Sequence, residues 1–157
     1  MVLKNPKNLL NLKKKIINIL YKKFIGLLNK AGFKSKAKNI LDFALLNASK
    51  KLKITPKIIL LNIFLKLNTY LEIKNFFLRK RIVFVPFYVT SYNRRTFLIV
   101  KWVLCAASMN LQRISFSKKL SFEFISLLTN KNSKSINFKR INIKHALKNR
   151  SNIHYRW

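Results

Sequence analysis

The chain has almost no negative charge. Three acidic residues, Asp42, Glu72 and Glu123, stand against 34 lysines and arginines, for a net charge of +31 in 157 residues. Catalysis by paired carboxylates is hard to build from three acids on three separate predicted elements. Glycine occurs twice and proline three times, and no Gly-rich phosphate loop or flexible linker is present. The single cysteine, Cys105, excludes an internal disulfide framework, and in "WVLCAA" it reads as a small buried hydrophobe. Neither histidine, His145 or His154, has metal-ligand spacing to a cysteine or carboxylate, so no cofactor or metal is expected and the chain does not read as an enzyme. No apolar window reaches about 18 residues without a cation. The longest, "FLIVKWVLCAA", carries Lys101 in its middle, which argues against membrane insertion.

What remains is a hydrophobic chain with a large excess of cations. Half of its residues are hydrophobic, enough for a real core in one domain and too many for a disordered basic tail. Self-repulsion at +31 opposes compaction, so the folded state is expected to draw counter-charge from a polyanion. Nucleic acid is the leading class, with an anionic lipid surface as a minor alternative. The frequent Lys, Asn, Ile, Phe and Leu have codons rich in A and T, a bias that suits a small organellar genome. The N-terminus has neither the composition nor the cleavage site of a transit peptide.

Residues 1–15 read as a basic arm that begins to look helical near Leu9; Lys13 and Lys23 interrupt the apolar stripe and leave a secure helix only over 16–30, ended by Gly32. Residues 16–157 read as a single domain. Ser35 is expected to cap a second helix with the stripe Ala37, Ile40, Leu41, Ala44, Leu45, Ala48 and Leu52. Thr55-Pro56 opens a third, with Ile59, Ile63, Leu67 and Tyr70 on one face. The period then changes. "YLEIKNFFL" and "IVFVPFYV" predict a β-hairpin over about 71–90, with Pro86 on an edge and a tip loop longer than a two-residue turn. Phe76, Phe77, Phe84 and Phe87 are expected to pack it onto the helices, while Arg79, Lys80 and Arg81 stand at the tip. A buried helix is predicted from Arg94 to about Met109, then helices over 117–129 and 139–150, with "NKNSKSINFKR" as a loop between them.

Several motifs, in order, carry a resemblance. The terminal "NIHYRW" is similar to the Ala-His-Tyr-Arg-Trp ending of the small-subunit ribosomal protein S-seven family, and Asn149 precedes it as an asparagine does there. "FIGLLNKAGFKSKA" at 24–37, "LEI" at 71–73, Val85-Pro86, "RRTFLIVKWVLCAA" at 94–107 and Glu123 match further segments of that family. The resemblance covers residues 20–157. It departs at the hairpin, where the family's Arg-Arg-Val-Gly-Gly reads Phe76-Phe77-Leu78-Arg79-Lys80, at Ala31 in place of an aspartate, and at one residue inserted between Pro86 and Arg94.

The resemblance implies a mainly α fold, a bundle of about six helices with a protruding β-hairpin between helices 3 and 4. It implies a structural constituent of the small ribosomal subunit that binds the 3′ major domain of its rRNA and organises the subunit head. Neighbouring head proteins would be partners, and the hairpin would lie near the exit-site tRNA and the mRNA path. Carried onto this chain, rRNA contacts are expected from Lys34, Lys36 and Lys38, from Arg94, Arg95 and Lys101, and from Arg79, Lys80 and Arg81. His154, Tyr155, Arg156 and Trp157 would form a terminal contact, Lys118, Lys119, Lys139, Arg140 and Arg150 are further candidates, and Trp102 is read as core. A mitochondrial ribosome is the expected location, ahead of a plastid one, and a DNA-binding protein of an organelle nucleoid is the alternative.

Overall fold

A computed structural model describes residues 6–78, 81–110, 112–129 and 132–155. Within them lie six α-helices, α1 (Pro6–Leu28), α2 (Lys34–Leu52), α3 (Pro56–Leu67), α4 (Tyr92–Ser108), α5 (Phe116–Leu128) and α6 (Lys134–Lys148). An antiparallel hairpin of β1 (Leu71–Leu78) and β2 (Arg81–Tyr88) separates α3 from α4, and a 3₁₀ turn, Arg150–Tyr155, follows α6. The mainly helical fold with its hairpin between the third and fourth helices is the expected one.

The core lies among α1 to α5. Leu20 and Phe24 of α1, Leu41 and Ala44 of α2, Ile59 and Ile63 of α3, Ile99 and Val103 of α4, and Leu120, Phe124 and Leu127 of α5 form one buried cluster. Phe24 meets Phe124 edge to face, with centroids 6.0 Å apart and planes at 90°, the arrangement that ring quadrupoles favour. The α2 stripe is buried as expected at Ala37, Leu41, Ala44, Leu45 and Ala48. Trp102 is only half-buried.

Four boundaries differ from the sequence reading. The first helix begins at Pro6, ten residues before Ile16, so residues 6–15 are helical. Proline suits a first helical turn, and lysine is a good helix former, so cations that interrupt an apolar stripe do not break the backbone. Helix α2 begins at Lys34 with Phe33 as its cap, and Ser35 lies inside the helix instead of capping it. Helix α3 stops at Leu67, leaving Tyr70 outside it and 47% exposed. Helix α6 starts at Lys134 within the supposed loop, because the Ser133 side chain accepts a hydrogen bond from the Ile136 N–H and caps it.

With two glycines, the chain turns its corners with other residues. Gly32 takes φ +80°, but Ala31 (+51°) and Lys53 (+55°) also occupy the left-handed region, Lys53 at the end of α2 where its N–H bonds to Ser49 O. In the hairpin the ladder runs from Leu71↔Tyr88 to Leu78↔Arg81. The pairing therefore runs to Leu78 and Arg81, further toward the tip than the longer loop expected would allow. Phe76 and Phe87 stack on each other with centroids at 5.6 Å, and Phe84 meets His145 of α6 edge to face. Phe77, paired with Ile82 at the outer end of the ladder, is 80% exposed and does not pack on the helices.

Candidate nucleic-acid interface

The three carboxylates are spent inside the protein, and among the described residues only one of them meets a cation. Asp42 Oδ1 accepts from the Tyr21 hydroxyl at 2.7 Å. Burial, reinforced by that hydrogen bond, pushes the Tyr21 phenol up to about 12. Glu123 is buried where α5 meets the start of α6, and its Oε1 accepts from the Ser133 hydroxyl (2.7 Å), the Ser135 hydroxyl (2.6 Å) and the Ser135 N–H (3.0 Å). A carboxylate at a helix N-terminus is favourably placed against the helix dipole. Glu72 of β1 pairs with Arg94 of α4 through both carboxylate oxygens, the sole ion pair among the described residues. The hydrogen bond to Glu72 raises the Arg94 guanidinium above its already high ordinary pKa.

One group of lysines is neutralised by helix ends instead. Lys66 Nζ donates to the carbonyls of Leu127 (2.8 Å) and Leu128 (3.0 Å), in the last turn of α5. Lys139 Nζ of α6 donates to the carbonyl of Lys66 itself, 2.7 Å away in the last turn of α3. Lys119 donates to Asn110 O (2.8 Å) and Lys134 to Met109 O (2.9 Å), just past α4. The last carbonyls of a helix lack intrahelical partners and carry its negative dipole end, so an ammonium there satisfies both. Burial holds the Lys139 ammonium below its ordinary pKa. Nothing in the sequence announces these pairs, since Lys66 and Leu127 are 61 residues apart.

The candidate RNA-contact residues divide accordingly. Lys119 and Lys139 point their ammonium groups into the protein, and Arg94 is held by Glu72 with its side chain still 48% exposed. Arg95 reaches the Thr90 carbonyl (3.4 Å) and lies over the rings of Tyr70 and Tyr92. By contrast, the side chains of Lys34, Lys38, Lys101, Lys118, Arg140 and Arg150 are exposed and make no hydrogen bond or ion pair among the described residues. Lys36 is also exposed and lies over the Phe33 ring at 4.5 Å. A solvated cation of this kind is free to replace the counterions of a phosphate backbone.

The hairpin and the chain end come together. Asn152 Nδ2 of the 3₁₀ turn donates to Phe84 O (3.1 Å), and Arg81 donates to the Tyr155 hydroxyl (3.3 Å). Arg81, Phe84, Asn149, His154 and Tyr155 thereby line one open cleft of about 430 Å³. The His154 ring rests on Tyr155 with centroids 4.1 Å apart. Arg79, Lys80, Arg156 and Trp157 lie outside the described residues.

A family model described as ribosomal protein S7p/S5e matches residues 3–150. The chain belongs to that family. It is a small-subunit ribosomal protein that binds rRNA in translation, in a family of structural ribosomal proteins and not of enzymes. No curated protein matches the chain. The match begins at residue 3, ahead of the motifs that start near residue 20, so the family extends through the helical turns over residues 6–15. It contains the exposed cations from Lys34 to Arg150, while His154 and Tyr155 lie beyond it. Among the described residues no helix is long and apolar enough to cross a membrane, and no group of His, Cys, Asp or Glu could hold a metal ion.

Proposed function

We propose that this protein binds the 3′ major domain of small-subunit rRNA, holds it in the assembled shape of the subunit head, and does so in a mitochondrial ribosome. The observation that carries the reading is the match to a ribosomal family in a chain whose described residues form a single internal ion pair. The mechanism is electrostatic. Lys34, Lys36 and Lys38 at the start of α2, Lys101 of α4, Lys118 of α5, Arg140 of α6 and Arg150 present charge to the phosphates of a folded RNA. With arginine the minority cation, the chain suits point-charge contact with phosphate more than bidentate reading of bases. The hairpin is assigned to the neighbourhood of the exit-site tRNA and mRNA, and the head proteins beside it are assigned as protein partners. The mitochondrial assignment rests on the abundance of Lys, Asn, Ile, Phe and Leu, residues with AT-rich codons.

Ultraviolet crosslinking in the native organelle extract, followed by sequencing of the attached RNA, tests this reading. Crosslinks are expected to concentrate in one region of the 3′ major domain. Crosslinks scattered over unrelated RNAs, or found on DNA, would replace the reading with that of a nucleoid protein.

A further inference from the structure

The root of the hairpin carries an aromatic arrangement that the electrostatic mechanism does not use. Tyr70, just before β1, and Tyr88, at the end of β2, stack with centroids 5.7 Å apart and planes within 6° of parallel. Both remain well exposed, at 47% and 56%. The guanidinium of Arg95 lies 4.8 Å from the centre of the Tyr70 ring and 5.8 Å from that of Tyr92, which fixes the stack to the start of α4. The backbone is fixed as well. Leu71 pairs with Tyr88 in the ladder, and the Val89 N–H donates to Tyr70 O at 2.7 Å. The two rings are thus held in place before any ligand arrives, which removes an ordering cost from binding.

Beside Tyr88 opens a cleft of about 460 Å³, lined by Lys74, Arg94, Thr90 and Ser91, with Glu72 at its base held by Arg94. The register sends the Tyr88 and Lys74 side chains to opposite faces of the hairpin, and Lys74 lies over the Phe87 ring at 4.6 Å, so the ladder does not set the cations of this cleft beside the Tyr88 ring. What the exposed Tyr88 ring offers is a flat platform braced from behind by a second tyrosine, which suits the base of an unpaired nucleotide. Exposed Phe77, on the same face of the hairpin, is a poorer platform because no second ring stacks behind it among the described residues.

We propose that Tyr88, backed by Tyr70 and Arg95, is a stacking site for one unpaired base of the bound RNA. The inference rests on the RNA-binding reading above and adds to it a contact with a base where that reading has contacts with phosphates. Its chemistry is tolerant of sequence, since every base has a face to stack.

The test compares two probes on the full chain at fixed salt, an oligoadenylate of about ten nucleotides and the same backbone with abasic sugars. Wild type is expected to bind the oligoadenylate about tenfold more tightly than the abasic strand. Tyr88→Ala should erase that preference, Tyr88→Phe should keep it, and the salt dependence should be the same for all three, since no charge has changed. Equal binding of the two probes by wild type, or an intact preference in Tyr88→Ala, overturns the stacking site and leaves the RNA reading standing if the salt dependence is still steep. A flat salt dependence overturns both.

Discussion

The corner where α4, α5 and α6 meet and the opening turns of α2 are both rich in lysine, and the two regions use it in opposite ways. At the corner, Lys66, Lys119, Lys134 and Lys139 donate to the carbonyls at the ends of α3, α4 and α5. On α2, Lys34, Lys36 and Lys38 point to solvent and make no hydrogen bond with the described residues. A chain with three carboxylates cannot neutralise its lysines with acids, so the helix ends supply the negative partners that packing requires. Net charge is therefore a poor count of phosphate-binding capacity. Lysines in the first region hold helices together, and those in the second are available to RNA.

The comparison is broken most severely at Glu123, the one carboxylate of the corner. Glu123→Ala strips the acceptor from two buried hydroxyls and a buried N–H, and should cost about 3 kcal/mol of stability. Chemical denaturation at about 1 M salt, where the Debye length falls to about 3 Å and self-repulsion is screened, is the measurement. A loss under about 0.5 kcal/mol would mean that this junction does not hold α6 in place.

A smaller effect is expected from Lys139→Met, which keeps most of the stem and removes the ammonium from the end of α3. It should lower stability by about 1 kcal/mol and leave the salt dependence of RNA binding unchanged. If instead stability holds and the salt dependence becomes shallower, Lys139 belongs with the outward lysines. The converse substitution is Lys34→Gln, Lys36→Gln and Lys38→Gln together. Stability should move by less than about 0.5 kcal/mol, while the slope of log affinity against log salt should fall by about 2 to 3. An unchanged slope would remove the start of α2 from the interface.

The smallest effect is local to the carboxylate of α2. In the folded protein Tyr21 and Tyr92 hold their protons to about 12, both through burial, and Tyr21 also through Asp42. The folded pKa of Tyr21 lies above the ordinary 10.0. Its contribution to stability is therefore fully present below about pH 10 and lost as pH rises through about 12. Asp42→Asn should move the Tyr21 ionisation toward its ordinary value and leave Tyr92 in place, as read by phenolate absorbance. No movement would assign the shift to burial alone.

Periodicity made α2, α3 and α4 legible in the sequence, because their buried faces repeat at helical spacing. The hairpin was legible from its β-branched and aromatic run. Three features were hidden, each for a physical reason. The first turns of α1 carry no clean apolar stripe, although lysine favours the helix itself. The start of α6 depends on Ser133 and on Glu123 in another helix, and a local reading could not see that partner. The corner lysines bond to backbone carbonyls that are anonymous in a sequence, so Lys119 and Lys139 looked the same as Lys118 and Arg140. Tyr70, read as part of a helical stripe, became an exposed partner of Tyr88 once α3 ended at Leu67.

The central claim, that exposed cations bind RNA phosphates while the corner lysines serve the fold, is tested most directly by affinity for a 3′ major domain rRNA fragment over a salt series. Log affinity should fall linearly with log salt, with a slope of about −5 or steeper, as expected when several counterions leave the RNA. A slope near zero would contradict the account, because binding would then not run through the cations that the fold leaves free.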